Sequence, residues 1–407
     1  MANDGIAPAD SVLTVNGGSS SIRFAVYEVR SGLTKRMDGK IERIGLAQPA
    51  LTVTEVGTAG PVHQNIAAAN HREAAGFLMD WLEAHPMFAR VTAIGHRVVH
   101  GMLHSQPERV TRELLGELRG IVPYDPEHLP SEIQLIEALQ GRYPSLPQVA
   151  CFDTAFHRSM PLVATQLPIP RRYATHGLQR YGFHGLSYQF LLEELARRGD
   201  PAATRGRVIL AHLGNGASLA AVRDGRSVDT SMGFTPTGGL VMSTRSGDLD
   251  PGVMGYLARS EGMDGARAQT LMSHESGLLG ISETSSDVRD LLAREAQDAR
   301  AAEALALFCY QAKKWLGAFA AVLGGLDTLV FSGGIGENAS PLRSRICETL
   351  GFAGIELDEA RNRANAPMIS ADGSAVTVRV IPTDEEIMIA KSTLRVLKLG
   401  AETEKMR

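Results

Sequence analysis

The sequence predicts an α/β protein with two domains, from its length and from three glycine-rich turns that each follow an apolar, strand-like run. The chain has 407 residues, which is more than a single core usually holds. The turns lie far apart, at 15–24 (VNGGSSSIRF), 212–222 (HLGNGASLAAV) and 330–339 (VFSGGIGENA). Because glycine lets backbone N–H groups approach an anion closely, three such turns predict one polyanionic ligand held from several sides.

The composition narrows the classes of function that the chain could serve. A formal net charge of −4 shows no basic excess, which argues against binding to nucleic acid. No apolar run reaches the roughly 18 residues of a membrane-spanning helix, and the N-terminal segment MANDGIAPAD has no basic-then-apolar signal pattern. Cys151, Cys309 and Cys347 share no CxxC spacing, as expected in a reducing compartment. The sequence therefore predicts a cytoplasmic protein that binds neither nucleic acid nor membrane.

The first half of the chain alternates strand and helix patterns. Residues 12–29 predict two strands joined at the first glycine-rich turn, because apolar residues alternate along the second strand. Apolar positions at helical spacing predict helices at 71–84 and 131–140. The β-rich segment 94–101 predicts a strand between those helices.

The second half begins with a similar hairpin. Residues 208–222 predict strand, glycine turn and strand, followed by the turn residues 223–225. Together with 12–29, this hairpin indicates a faint internal duplication. A long helix is predicted at 303–323 and a buried strand at 328–331.

The third glycine-rich turn predicts an anion or nucleotide site next to a helix. Gly333, Gly334 and Gly336 are expected to turn the chain after the strand. Ser340 is the predicted N-cap of the following helix, with Pro341 as its first residue and Gly351 as its end. None of the three turns matches GxxxxGK[ST], so the sequence predicts a nucleotide enzyme that is not built on a P-loop.

Ten short segments stand in the order in which the acetate kinase (acetokinase) family carries them, and together they cover nearly the whole chain. On these segments the chain resembles that family of short-chain carboxylate kinases. The segments are VNGGSSSIRF, GHRVVHG, CFDTAFHRSMP, RYGFHG, HLGNGAS, DTSMGFTP, MSTRSGDLDPG, SGLLGISETSSDVRD, FSGGIGENA and IPTDEE.

The resemblance implies the two-domain fold of the actin, hexokinase and Hsp70 ATPases, with duplicated ribonuclease-H-like cores. It implies an N-terminal domain at 1–154, completed by a C-terminal helix at about 386–407, and a nucleotide-binding domain at 155–385. It also implies a Mg²⁺-dependent, reversible, direct in-line transfer between ATP and acetate that gives acetyl phosphate and ADP. A homodimer is the expected assembly.

Two arginines and a histidine are the first catalytic candidates. Arg97 and Arg245 lie in segments that are otherwise neutral or apolar, and a planar guanidinium matches phosphoryl oxygens with paired hydrogen bonds. Structural salt bridges would use the same residues. The resemblance assigns both arginines to catalysis and makes His184 a hydrogen-bond donor to a phosphoryl oxygen. A buried structural histidine is the alternative for His184.

Asp153 is the remaining catalytic candidate. In a sugar kinase such a carboxylate accepts a hydroxyl proton, but a carboxylic acid substrate, with a pKa near ~4, is already ionised at neutral pH. Asp153 is therefore predicted to organise the arginines or a water on the metal.

The resemblance gives Mg²⁺ as the metal, with Mn²⁺ as the alternative, and Asn16 and Glu385 as the residues beside it. Mg²⁺ takes few protein carboxylates together with water and phosphate oxygens, which fits two residues distant in sequence. Glu386 is the weaker candidate. His96 and His100 have i,i+4 spacing, but they lie in a predicted strand and no third ligand accompanies them.

The remaining assignments also come from the resemblance. ATP or ADP would be bound by Arg23, His212, Gly214, Asn215, Gly216, Asp287, Val288, Arg289, Gly334, Ile335, Gly336 and Asn338. The acid would be bound by Arg97, Val99, Tyr124, Phe183 and Pro236.

The chain departs from the family pattern at four places. Arg23 stands where the family has Lys, and VPYDP is one residue shorter than APLHNP and lacks its histidine. GLSY, ending at Tyr188, replaces GTSH, and TPTGG at 235–239 replaces TPLEG. These departures leave open a propionate or butyrate kinase and a non-catalytic nucleotide-binding paralogue. A sugar kinase is disfavoured, because paired arginines suit two anions that meet.

Overall fold

The computed structural model describes residues 11–18, 21–29, 32–58 and 60–399. Within these residues the chain forms two compact units. One unit ends at Ala155 and resumes at Asp384, and the other is Phe156–Thr383. Residues 1–10, residues 19–20 of the first glycine-rich turn and residues 400–407 of the predicted C-terminal helix lie outside the described residues.

An eight-stranded mixed sheet forms the core of the first unit. Its strands are Ser11–Gly17 (β1), Ser21–Glu28 (β2), Thr34–Glu42 (β3), Ala50–Glu55 (β4), Val62–Asn65 (β5), Val91–Val98 (β6), Glu108–Arg109 (β7) and Gln148–Phe152 (β8). They lie in the order β5-β4-β3-β2-β1-β6-β8-β7. The strands β1 to β5 pair antiparallel, whereas β6 runs parallel to β1 and β8 parallel to β6.

Helices cover both faces of this sheet. They are His71–Ala84 (α1), Arg112–Gly120 (α2), Leu129–Arg142 (α3) and, from the end of the chain, Glu385–Leu397 (α15). Leu13 and Val15 of β1 pack with α1 and α3, whereas the alternate residue Val12 packs with α15. Because successive strand residues point to opposite faces, β1 is buried on both sides.

A five-stranded sheet forms the core of the second unit. Its strands are Arg207–Leu213 (β9), Ala217–Arg223 (β10), Arg226–Thr230 (β11), Thr328–Ser332 (β12) and Thr377–Val380 (β13). Their order is β11-β10-β9-β12-β13. The strands β9 to β11 pair antiparallel, and β12 runs parallel to both β9 and β13.

This order repeats the series β3-β2-β1-β6-β8 of the first unit. The internal duplication predicted from the two glycine hairpins is therefore present. The helices of the second unit are Leu162–Thr165 (α4), Gly185–Arg197 (α5), Ala202–Arg205 (α6), Pro251–Glu261 (α7), Gly265–His274 (α8), Gly277–Ser282 (α9), Val288–Arg294 (α10), Ala299–Leu323 (α11), Gly333–Asn338 (α12), Ser340–Cys347 (α13) and Glu359–Arg363 (α14). Across the described ranges, no helix is both long and apolar enough to cross a membrane.

The segment after β12 differs from its prediction. Gly333 adopts a left-handed φ of 75°, but 333–338 then forms helix α12 instead of a turn. Ala339, not Ser340, occupies the N-cap position of α13, because Ser340 is already helical. That helix ends at Cys347 and not at Gly351, since the backbone of the next residue, Glu348, is extended.

Candidate active site

Three predicted site residues meet at one edge of the first sheet. Asn16 lies in β1, Arg97 in β6 and Asp153 directly after β8. Because these strands are parallel, their carboxyl ends share that edge. Arg97 donates through Nε and Nη2 to Asp153 Oδ2 at 3.1 and 2.5 Å, and through Nη1 to Asn16 Oδ1 at 3.2 Å. The guanidinium is thus fixed by two side chains.

Glu385 joins this group from the first turn of α15. Asn16 Nδ2 donates to Glu385 Oε2 at 3.1 Å. The helix begins there because Asp384 is its N-cap and accepts from the Ile387 N–H. Asp384 also accepts from the Tyr27 hydroxyl at 3.1 Å and pairs with Lys35 at 2.8 Å. These contacts set where the Glu385 carboxylate lies.

The charge of Arg97 is maintained although its side chain is only 15% exposed. Burial alone disfavours the guanidinium, but the Asp153 and Glu385 carboxylates outweigh it and raise the pKa of Arg97. Glu132 of α3 contributes a third nearby carboxyl, which accepts from the Val99 N–H at 3.1 Å. Burial raises the pKa of Glu132 well above its usual value, although Arg97 opposes that shift. Arg97 therefore lies among acidic groups in a region of low solvent access.

A second cluster forms in the other unit around His184. This residue has a left-handed backbone, with a φ of 59°, at the N-cap position of α5. Its Nδ1 is 2.8 Å from the Ser218 hydroxyl of β10, and its ring stacks on His212 of β9 with 4.3 Å between centroids. A left-handed backbone is uncommon outside glycine, and the contacts of the ring with Ser218 and His212 help to hold His184 in it.

The second and third glycine-rich turns lie together in this cluster. A Cβ added to Gly214 would be 3.9 Å from the backbone nitrogen of Gly334. A Cβ added to Gly216 would lie 3.2 Å from His184 Nε2 and 3.7 Å from Arg245 Nη1. The glycine at 216 therefore leaves space at a point that both side chains approach. Arg245 is also anchored by donating to the Pro236 carbonyl at 3.2 Å.

The other predicted nucleotide residues are spread over the second unit, except Arg23. Asn215 is exposed and accepts from the Ser243 N–H. Asp287 is the N-cap of α10, and the Arg289 guanidinium lowers the pKa of that carboxyl. Arg23 is exposed on β2, in register with Asn16 on β1. The remaining members are Val288, which is buried in α10, and Gly334, Ile335, Gly336 and Asn338, which form α12.

The predicted acyl-binding residues divide between the units. Val99 is buried just after β6, and Tyr124 ends a short 3₁₀ turn with its ring 6.2 Å from that of His100. Phe183 and Pro236 are buried in the second unit.

In the first unit, His71 Nε2 donates to the carbonyl of Gly18, the described end of the first glycine-rich turn, at 2.7 Å.

Sequence reasoning overlooked three residues beside these clusters: Glu132, Tyr188 and Ser218. Glu132 has a detectable signal, because it lies on the apolar face of α3 with Leu129 and Ile136. Ser218 is likewise a polar residue on a strand face that is otherwise apolar. The sequence marks Tyr188 only by its departure from the GTSH pattern.

Comparison with known proteins gives a consistent result. A family model described as the Acetokinase family matches residues 11–391. An acetate kinase of Rhodopseudomonas palustris is 43% identical over 398 residues, covering 96% of this chain and 100% of that protein. A propionate kinase of Citrobacter rodentium is 41% identical, covering 95% and 96%. The crystal structure of Porphyromonas gingivalis acetate kinase aligns with a TM-score of 0.85 at 36% identity, covering 96% of this chain and 100% of that one.

Proposed function

The chain belongs to the acetokinase family, and on this premise we propose that it transfers a phosphoryl group reversibly between ATP and acetate, giving acetyl phosphate and ADP. The family resemblance and the ATPase-type α/β fold predicted from the sequence are both confirmed, and the chain is a phosphotransferase. The observation that best supports the mechanism proposed here is the approach of His184 Nε2 and Arg245 Nη1 to one point beside Gly216.

We assign His184 and Arg245 to the phosphoryl group. In phosphoryl transfer the charge is spread over three oxygens, and fixed donors stabilise it more than mobile water does. A neutral imidazole offers one N–H and a guanidinium offers several, so the two can bind different oxygens. Gly216 leaves room for that group because any side chain there would contact Nε2.

We assign Arg97 to the carboxylate of the acid. Its contacts with Asp153 and Asn16 use one N–H each on Nε, Nη1 and Nη2. They therefore occupy three of the five N–H donors of the guanidinium. Asp153 accepts two of them, so its role in the proposal is to orient Arg97. It needs to remove no proton, because the acid is ionised at neutral pH.

Mg²⁺ is part of the proposal, and the residues of the first cluster fit it in part. Glu385 provides a carboxylate, whereas the Asn16 amide oxygen accepts from Arg97. No group of three His, Cys, Asp or Glu side chains within the described residues could hold a metal. This suits Mg²⁺, which would bind one carboxylate, water and phosphate oxygens and would supply charge neutralisation. Mn²⁺ is the alternative ion.

The binding sites, the assembly and the cellular location are also proposed from the membership in the acetokinase family. We propose that the metal is bound in the first unit, and that the acid and the nucleotide are bound by the residues predicted above. A homodimer and a cytoplasmic location are further proposals. They rest on the family resemblance and on the composition.

Propionate is the second candidate substrate. Curated relatives named propionate kinase are 41% and 40% identical to this chain, close to the values for those named acetate kinase. The pocket residues must therefore decide between acids that differ by one methylene, for which discrimination is worth about 1–3 kcal/mol. Butyrate is the next longer alternative.

The test is acyl phosphate formation with ATP and a panel of acids. Hydroxylamine traps acyl phosphates as hydroxamates, so formate, acetate, propionate and butyrate can be compared by kcat/KM. We expect acetate to give the highest value and EDTA to abolish the reaction. A higher value for propionate or butyrate would favour those alternatives, and no hydroxamate with any acid would contradict the proposed function.

A further inference from the structure

A chain of two buried hydroxyl groups ends at the ring of His184. The Tyr188 hydroxyl of α5 lies 2.5 Å from Ser218 Oγ, and Ser218 Oγ lies 2.8 Å from His184 Nδ1. Tyr188 and Ser218 are both fully buried. Nδ1 is thus anchored inside the unit, whereas Nε2 points to the space beside Gly216.

The direction of these hydrogen bonds decides which ring nitrogen carries the proton. A phenol is more acidic than an aliphatic alcohol, so it is the better donor and the poorer acceptor. The Tyr188 hydroxyl therefore favours donating to Ser218 Oγ. With the Tyr188 hydroxyl donating to it, Ser218 Oγ can donate its own hydrogen to His184 Nδ1. In that arrangement Nδ1 accepts and the ring proton resides on Nε2.

We propose that Tyr188 and Ser218 are positioning residues that hold His184 in the Nε2–H tautomer, so that its N–H faces the transferring phosphoryl group. This inference rests on the role proposed above for His184. It assigns a function to a tyrosine at which the chain departs from the GTSH pattern of its family.

The neighbouring His212 has a parallel arrangement. Its Nδ1 lies 2.8 Å from the Ser187 hydroxyl, which in turn lies 2.9 Å from the Thr383 hydroxyl. The two imidazoles stack at 4.3 Å with an interplanar angle of 25°. Two stacked imidazolium ions would repel each other. The stacking therefore disfavours two charged rings, which is compatible with a neutral His184.

The experiment combines NMR of the ring nitrogens with kinetics. In protein labelled with ¹⁵N-histidine, the His184 signals are identified by their loss in His184→Gln, and their shifts report which nitrogen is protonated. The test variants are Tyr188→Phe and Ser218→Ala, which remove one hydroxyl each. The matched control is Tyr181→Phe, because Tyr181 is also buried and donates to a backbone carbonyl, that of Gly177.

We expect the wild-type ring to carry its proton on Nε2. In Tyr188→Phe and Ser218→Ala the Nδ1–H tautomer should appear, and kcat should fall about tenfold or more. KM for ATP and acetate should stay within about twofold, because only the transition-state contact is altered. The control variant should keep both the tautomer and kcat.

Three results would overturn the inference. They are a wild-type ring protonated on Nδ1, a tautomer unchanged in both test variants, and a changed tautomer with unchanged kcat. In the second case, an accompanying fall in kcat would indicate lost packing. The wild-type rate tests the proposed function separately, because the tautomer can be measured in a protein without activity.

Discussion

Arg23 is a charged residue of the first unit and lies in the first glycine-rich turn, at 15–24. It is exposed on β2, in register with Asn16. Burial raises the pKa of the nearby Glu386 carboxyl, and the charge of Arg23 opposes part of that shift. An arginine keeps the charge of the family's lysine but not its compact shape.

We therefore expect Arg23→Ala to weaken catalysis more than Arg23→Lys, since only the latter keeps a cation beside the proposed phosphate site. The measurement is kcat/KM for ATP in both variants. Equal, wild-type values in the two would show that the charge at this position does not matter to the nucleotide.

Tyr124 carries the prediction on acid selectivity. Its phenol ring lies near the place in the segment VPYDP where the family pattern APLHNP has a smaller leucine, and it is expected to exclude longer acids by overlap. We expect acetate to be preferred over propionate, with butyrate poor, and Tyr124→Ala to shift the preference toward longer acids. Each accommodated methylene is worth about 1–3 kcal/mol, so the change should be graded.

The ratios of kcat/KM for the three acids, in wild type and in Tyr124→Ala, measure this effect. Unchanged ratios would mean that Tyr124 does not line the pocket for the acid. Acetate would then lose its main support over propionate.

At the scale of elements, the position of α15 depends on close contact with β6. A Cβ added to Gly95 would lie 2.3 Å from Thr393 Oγ1 and 2.5 Å from Ile389 Cγ2, both on α15. We expect Gly95→Ala to push the helix outward and to lower the free energy of unfolding by about 1–3 kcal/mol. Because Glu385 begins this helix, the apparent Mg²⁺ requirement should also rise.

Gly76→Ala in α1 is the matched control, because no atom lies within 4 Å of the added Cβ. It should stabilise the protein by about 0.5–1 kcal/mol and leave the Mg²⁺ requirement unchanged. Denaturant unfolding and Mg²⁺ titration of the rate measure both effects. If Gly95→Ala behaved like Gly76→Ala, the close packing of α15 on β6 would be contradicted.

Elements with a strong local pattern were predictable from the sequence. The helix predicted at 71–84 from its apolar spacing has the observed bounds, and in the structure Asn70 caps its first turn. The segment 333–338 was predicted as a turn, because glycine disfavours helices. A contact from outside the segment offsets that preference. Arg343 donates to the Gly336 and Glu337 carbonyls and so stabilises the C-terminal end of α12.

The site was predictable where a residue type alone signals its chemistry. Arg97 and Asp153 stood out as charges in apolar segments, and the structure brings them into contact. The pairing of Ser218 with His184 spans 34 residues and depends on how β10 packs beside α5. No local pattern encodes such a pairing, so this part of the site required the fold.

At the scale of the whole molecule, each unit contains a buried histidine that resists protonation. Burial lowers the pKa of His96 to about 4 in the first unit and that of His157 to about 4 in the second. The unfolded chain binds these protons near pH ~6.5. Between pH about 6.5 and 4 the unfolded state therefore holds more protons, and acid destabilises the fold by about 1.4 kcal/mol per pH unit per histidine.

Unfolding measured from pH 7.5 to 4.5 tests this expectation. His96→Gln and His157→Gln should each reduce the loss of stability in acid relative to wild type, whatever their effect at pH 7.5. A loss in acid that is the same in both variants and in wild type would show that neither histidine is held neutral by the fold.

The central claim is that phosphoryl transfer to acetate depends on the arginines proposed above to bind the phosphoryl group and the acid, and Arg245 tests it most directly. Acetyl phosphate formation should be compared in wild type, Arg245→Ala and Arg300→Ala, the last being an exposed arginine paired with Glu283. We expect Arg245→Ala to lower kcat by about 10²-fold or more while remaining folded, and Arg300→Ala to match wild type. Near wild-type turnover in folded Arg245→Ala would contradict the mechanism.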